Sequence, residues 1–186
     1  MLKKRELADC GALFELLTDP EVYPYVRQKA ATLDEYLFLT KQAIELEEKE
    51  DMVSRTIVDE WGQPIGTITL FDIKNGYGFL GTWIGKPYFG KGYNRKAKDA
   101  FFSELFSETT IDKVFMRIRK SNIRSQKAAQ KLPYVWLADD LYPEIYHEIN
   151  QNGVDYHLYE VVRDRFLLYQ QQMENFTPPE EKLREA

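Results

Sequence analysis

The residues best suited to chemistry lie between Gly81 and Glu104, in the string GTWIGKPYFGKGYNRKAKDAFFSE. A β-rich apolar run, Thr82, Trp83 and Ile84, passes into a loop with Gly85, Gly90 and Gly92, and the residues after Gly92 take up helical spacing. A glycine-rich turn that leads into a helix start leaves several N–H groups unpaired and aimed one way, and the helix dipole adds partial positive charge there. Such a place binds a phosphate or a diphosphate. Glycine is needed because a side chain would hold the ligand off the backbone, and because such loops often take positive φ. Lys91, between two of the glycines, brings a full charge to the same spot, and also fits an ordinary solvated lysine.

Three explanations compete for this loop. It is a tight strand-to-helix connection and nothing more; or it is a nucleotide loop; or it holds the diphosphate of coenzyme A. From Gly85 the string GKPYFGKG nearly fits the nucleoside-triphosphate pattern G-x-x-x-x-G-K-[ST], but Gly92 stands where the magnesium-binding hydroxyl belongs. A coenzyme A loop needs no metal, and the rest of the segment favours it.

YFGKGYN, a helix, the strand VFMRIRK, and then Asn122-Ile-Arg-Ser125-Gln-Lys-Ala-Ala-Gln-Lys-Leu-Pro-Tyr134 together resemble the GNAT acetyltransferases, especially their RimJ/RimL-like branch of ribosomal-protein N-acetyltransferases. The resemblance is tight from Gly62 to Tyr134 and looser as far as Val162. It implies an α/β (α+β) fold with a mixed central sheet of about six to seven strands, an antiparallel N-terminal meander, a splayed parallel strand pair and flanking helices. It implies one domain over residues 1–176, followed by a flexible tail at 177–186. Acetyl-CoA would be the acetyl donor, with no metal, and the acceptor a primary amine on a protein N-terminus or a small molecule such as a polyamine or aminoglycoside.

By the same resemblance the pantetheine arm pairs with main-chain groups of Trp83 and Ile84, where the chain enters the loop at Gly85, and a main-chain N–H near Ile84 serves the developing oxyanion. The diphosphate rests on N–H groups of Gly90, Lys91, Gly92, Tyr93 and Asn94, with Lys91 and Lys96 adding charge. Asn122 hydrogen-bonds the pantetheine arm, or caps the following helix, or does both through the two ends of its amide. Ser125 falls where related enzymes carry a serine near the sulfur, and it also fits a routine third residue of a helix.

Some family residues are replaced. Ala129 stands where many members have a tyrosine general acid, Phe79 where a glutamate is common, Pro87 at the residue that opens the loop, and Pro133-Tyr134 in place of Gly-Phe. No obvious general base survives; Asp139, Asp140 and Glu144 either reach the mouth of the site or form a solvated helix start. A noncatalytic acyl-CoA-binding or regulatory module is therefore the alternative function.

The outer bounds agree with a folded enzyme. The 186 residues suffice for a real core, and 44% hydrophobic with 14% aromatic residues exclude a disordered chain. A formal charge of −5 disfavours nonspecific nucleic-acid binding and favours a cationic acceptor. No run approaches the roughly 20 apolar residues of a membrane span, and MLKKREL lacks a signal peptide's apolar region, so the cytoplasm is expected. Cys10 is alone and, with His147 and His157, offers no zinc-ligand spacing; it reads as a small buried residue.

These residues must be held by an alternating set of elements. Asp9 should cap a helix carrying Leu13, Leu16 and Leu17, and a short helix should hold Val22, Tyr25 and Val26. Thr32-Leu-Asp-Glu35 is a capping box for a helix that runs into the acidic string Glu45 to Asp51, read as a solvated end. Strands Met52–Asp59, Ile65–Ile73 and Tyr77–Ile84 follow, with Asn75-Gly76 as a hairpin signal. Beyond the loop come a helix with Ala97, Ala100, Phe101, Leu105 and Phe106 on one face, a strand at Asp112–Lys120, a helix at Asn122–Lys131 and a strand at Tyr134–Leu137. The Asp139–Gln151 insertion is rich in Tyr and Glu and suits a lid or a homodimer interface. A strand at Tyr156–Val162 comes next, then a helix at Arg163–Asn175 burying Phe166, Leu167, Tyr169, Gln170 and Met173.

Overall fold

The computed structural model describes residues 1–176, and the chain divides into two units at Thr109 and Thr110. The expected tail, 177–186, lies outside the described residues. Among the described residues, seven strands and six α-helices make an α/β arrangement.

In the first unit the strands β1 (Leu2–Lys4), β2 (Val53–Val58), β3 (Pro64–Lys74) and β4 (Tyr77–Ile84) lie side by side in that order, each antiparallel to the next. The β3–β4 turn follows from its sequence. Asn75 and Gly76 both take positive φ, 50° and 78°, the handedness a two-residue hairpin needs to match strand twist, and Lys74 pairs with Tyr77 across it. The helices are α1 (Cys10–Leu17), α2 (Leu33–Glu48) and α3 (Tyr93–Glu108).

Alternation along the strands sorts the helices onto two faces. Arg55 on β2 donates to Glu104 of α3, so α3 covers the face that carries Arg55, Ile57, Ile68, Leu70, Leu80 and Ile84. Ser54, Thr69 and Trp83 point the other way. Arg5 reaches Ser54 Oγ and Thr40 Oγ1 of α2 there, and a core of Cys10, Leu13, Leu17, Val22, Val26, Ala30 and Tyr36 takes in Trp83 and Phe89.

Several local expectations change on inspection. Asp9 precedes α1 without a side-chain cap bond, because its carboxylate is drawn to Lys3 at 2.9 Å. The capping box is half formed: Thr32 Oγ1 accepts from Glu35 N at 3.2 Å, but Glu35 reaches back to Ala31 N. The segment after Pro20 is a single 3-10 turn, Tyr23–Tyr25, with Val22 and Val26 buried and Tyr25 exposed. The acidic string is not wholly solvated, since Glu47 accepts from Ser54 N and pairs with the buried Arg55.

The second unit carries β5 (Lys113–Arg119), α4 (Ile123–Gln130), β6 (Val135–Leu137), α5 (Pro143–Ile149), β7 (Tyr156–Val162) and α6 (Arg163–Phe176). β7 lies between β5 and β6, antiparallel to both. Tyr134 and Phe166, each fully buried, meet edge to face at 4.9 Å. On α6 the expected stripe narrows: Leu167 and Met173 are exposed, because Phe166 and Tyr169 already fill the contact with Tyr134.

Candidate functional site

The glycine loop is fixed at both ends by packing. Gly85 has an extended backbone with negative φ, so its need for glycine is close approach: a Cβ there would sit 2.8 Å from Leu16 Cδ2 of α1. Its N–H donates to Ile65 O at 2.8 Å. Phe89 and Trp83 then anchor the loop in the α1–α2 core. Beyond it, the Tyr93 hydroxyl donates to Glu60, which pushes the phenol up to about 12 and holds the Glu60 carboxyl below its usual range, and the Tyr93 ring meets Tyr88 edge-on at 5.8 Å.

Between those anchors the backbone is bare. Gly90 and Gly92 take φ of 74° and 85°, and nothing lies within 4 Å of where a Cβ would be at either. Gly92 is the N-cap of α3 and supplies no side-chain cap; the first intrahelical bond is Lys96 N to Gly92 O at 3.1 Å. The N–H groups of Tyr93 and Asn94 therefore have no intrahelical acceptor. Lys91 stands over the Tyr88 ring at 5.7 Å, and Lys96 and Arg95 follow on the first turn. This is a cationic run of donors in a chain whose net charge is negative.

The ladder decides which main-chain groups of β4 are available. Ile65 faces Gly85 in a hydrogen-bonded pair, so by antiparallel alternation Thr67 and Trp83 form the next such pair and Gly66 and Ile84 do not. The N–H and C=O of Trp83 go to β3, while those of Ile84 point to the other side of β4. One residue earlier, Thr82 Oγ1 is buried without a hydrogen-bond partner. An orphaned hydroxyl and an open glycine cradle fit an elongated ligand that ends in a diphosphate.

On the second unit, Asn122 is the N-cap of α4, its Oδ1 accepting from Ser125 N at 3.1 Å. Its NH2 group stays free of that cap. Ser125 is half-buried with its hydroxyl unbonded among the described residues. Gln126 ties α4 to the end of β5 through Arg119 O and Lys120 O, at 3.1 and 2.7 Å. Ala129 is fully buried, and Phe79 stacks on Phe71 in a small apolar cluster. Asp139 does not stand free as a base: its carboxylate receives Leu158 N and meets His157 Nδ1, each at 2.7 Å, stapling the chain after β6 to β7. Asp140 and Glu144 are exposed.

Two features escaped the sequence. Glu60 holding Tyr93 joins residues 33 positions apart, which no local pattern announces. Lys98 is buried in the middle of the apolar face of α3 and donates to Asn94 Oδ1 at 2.8 Å; an i, i+4 Asn–Lys pair was the available signal.

The family model described as an acetyltransferase (GNAT) domain matches residues 1–135. This chain belongs to the GNAT acetyltransferase family. It is an enzyme of the N-acetyltransferase class with the α/β GNAT fold. Among curated proteins, this GNAT chain is 26% identical over 137 residues to the uncharacterized N-acetyltransferase p20 of Bacillus licheniformis, covering 72% of this chain and 77% of p20. Among solved structures, the apo ribosomal L7/L12 alpha-N-protein acetyltransferase RimL superposes with a TM-score of 0.72 at 16% identity, covering 87% of this GNAT chain and 88% of RimL. The spermidine N-acetyltransferase of Vibrio cholerae, in complex with CoA and spermine, gives 0.71 at 14% identity, covering 90% and 97%. At these identities the structural likeness speaks for the fold.

Proposed function

We propose that this chain transfers an acetyl group from acetyl-CoA to a primary amine by direct attack, and that the acceptor is cationic: a protein N-terminus or a small polyamine-like molecule. The observation that carries the cofactor half is the bare loop, with Gly90 and Gly92 at positive φ, open space at both, and uncapped N–H groups at the start of α3. The acidic net charge and the family membership support the acceptor half. RimL-type protein N-termini and the spermine of the V. cholerae complex are the two acceptor types that the fold's relatives suggest.

The bound cofactor supplies an activated acyl group on sulfur. In this reading the main-chain N–H groups from Gly90 to Asn94, with Lys91 and Lys96, hold its diphosphate. Gly85 keeps the loop close to α1, and Trp83 holds the β4 end in the core. A main-chain N–H near Ile84 is the donor for the developing oxyanion, a role in which a preset main-chain dipole needs no reorganisation. On the second unit, Asn122 offers its NH2 to the pantetheine arm while its oxygen caps α4, and the Ser125 hydroxyl donates to the departing thiolate. The amine must lose a proton before attack; Phe79 stands where a glutamate is common, and in this reading a water chain takes the proton.

Titration with acetyl-CoA, followed by thiol release across a panel of amines and N-terminal peptides, tests this. Saturable binding at micromolar concentration with thiol release on at least one acceptor is the expected result. Ala129, fully buried, and Phe79, in a small apolar cluster, stand where an acid and a base are common in the family, and favour one second reading: a module that binds acyl-CoA without turnover. It predicts the same binding and no thiol release on any amine.

A further inference from the structure

The face of α3 that meets the sheet is apolar except for one charge. Lys98 is 7% exposed; among the described residues its only hydrogen bond goes to Asn94 Oδ1 at 2.8 Å, and no carboxylate lies within ion-pair distance of its Nζ. A buried ammonium is costly unless a full negative charge compensates it, and an amide oxygen carries only a partial one. Asp59, which is buried, and Glu60, both at the β2–β3 turn, act on Tyr93 at the start of α3, and neither forms an ion pair with Lys98 among the described residues. On β3 and β4, which pack against α3, the side chains turned to it are Ile68, Leu70, Leu80, Thr82 and Ile84, with Gly66. β1 turns Leu2 and the cation Lys4 the same way, and Arg55 of β2 is taken by Glu47 and Glu104. On α3 itself, Asp99 pairs with Arg95 at 3.7 Å.

The bond to Asn94 has a definite polarity. An ammonium can only donate, so the Asn94 oxygen must face Lys98 and its NH2 must face away. Asn94 is the second residue of α3, next to the positive-φ cap Gly92. We propose that Lys98 is a positioning residue for the cofactor diphosphate: it locks the Asn94 amide with its NH2 toward the ligand and places a desolvated positive charge behind the loop, which the diphosphate completes. This rests on the proposed acetyl-CoA site and deepens it.

A proton linkage follows. Burial pulls the Lys98 amine down to about 8 without ligand, with Asp99 opposing weakly. A diphosphate nearby favours the charged form and raises it again. Binding therefore takes up a proton at pH 9 and takes up little at pH 7. Tyr93, held near 12, stays neutral throughout this range.

The test is calorimetric titration of the full chain with acetyl-CoA, whose thioester has no titrating thiol, at pH 7 and pH 9 in two buffers of different ionisation heat. Wild type should bind about tenfold more weakly at pH 9 and show net proton uptake there. Lys98→Met should bind about tenfold more weakly than wild type at pH 7, with no further loss at pH 9 and no uptake. Asn94→Ala, a change on the half-buried first turn, should weaken binding similarly and checks the relay if Lys98→Met does not fold. Equal affinity and equal proton uptake in wild type and either variant would overturn the relay while leaving the acetyl-CoA site standing. Failure of wild type itself to bind acetyl-CoA would remove the site and the relay together.

Discussion

The Asn122 side chain accepts the Ser125 N–H through Oδ1 at 3.1 Å, so one half of its amide is spent on helix α4 and the NH2 half has no part in that cap. The two halves separate by substitution. Asn122→Asp keeps a good N-cap and loses both donors, so its melting temperature should stay within about 2 °C of wild type while acetyl-CoA affinity falls about tenfold. Asn122→Ala loses the cap as well and should also lose about 1 kcal/mol of stability. Thermal melts beside acetyl-CoA titrations read both; undiminished affinity in Asn122→Asp would remove Asn122 from the cofactor site.

Gly92→Val puts a β-branched side chain at φ 85° and into the open cradle. The backbone strain should cost about 1–2 kcal/mol, and acetyl-CoA binding should be lost. Gly62→Val is the matched control. Gly62 has φ 79° and open space too, but sits in the β2–β3 turn, so it should show a similar loss on denaturant melts with affinity retained.

Ser125→Ala removes a hydroxyl that bonds nothing else among the described residues, so stability should not change. If the hydroxyl serves the leaving thiolate, kcat falls about tenfold or more while KM for acetyl-CoA moves little. Equal loss in KM and none in kcat would make Ser125 a binding residue.

The stability of the free protein should depend on pH through Lys98. Its amine titrates near 8 when folded and near 10.5 when unfolded, so the unfolded chain holds the extra proton between those values and stability rises as pH climbs from about 8 to 10.5. Lys98→Met should flatten that rise and, by removing a buried charge, melt about 5 °C higher at pH 7. Melting curves of the two proteins across that window check the sign.

Much of the frame was legible because local chemistry dictates it. β4 and β7 have the bounds their alternation suggests, Asn75-Gly76 makes its hairpin, and Cys10 is buried. Tertiary competition hid the rest. Asp9 is a good N-cap residue on sequence, but a nearby Lys3 takes its carboxylate; Glu47 looks like part of a solvated acidic end until Arg55 reaches it from β2. At the site, the glycines were readable from type and spacing, although Gly85 is required by Leu16 and not by φ. For Lys98 the sequence held only the i, i+4 spacing from Asn94, which does not announce burial. A lysine on a helix is assumed to snorkel out, and only its position beside Ala97 on the covered face shows that it does not.

The most direct test of the central claim is to incubate the protein with acetyl-CoA and a panel of polyamines and N-terminal peptides, then weigh the acceptors by mass spectrometry. One acetyl group, a gain of about 42 Da, should appear on a primary amine of at least one acceptor with wild type, and on none with Gly92→Val. No acetylated acceptor with wild type, despite saturable acetyl-CoA binding, would contradict the transfer and leave a protein that only holds the cofactor.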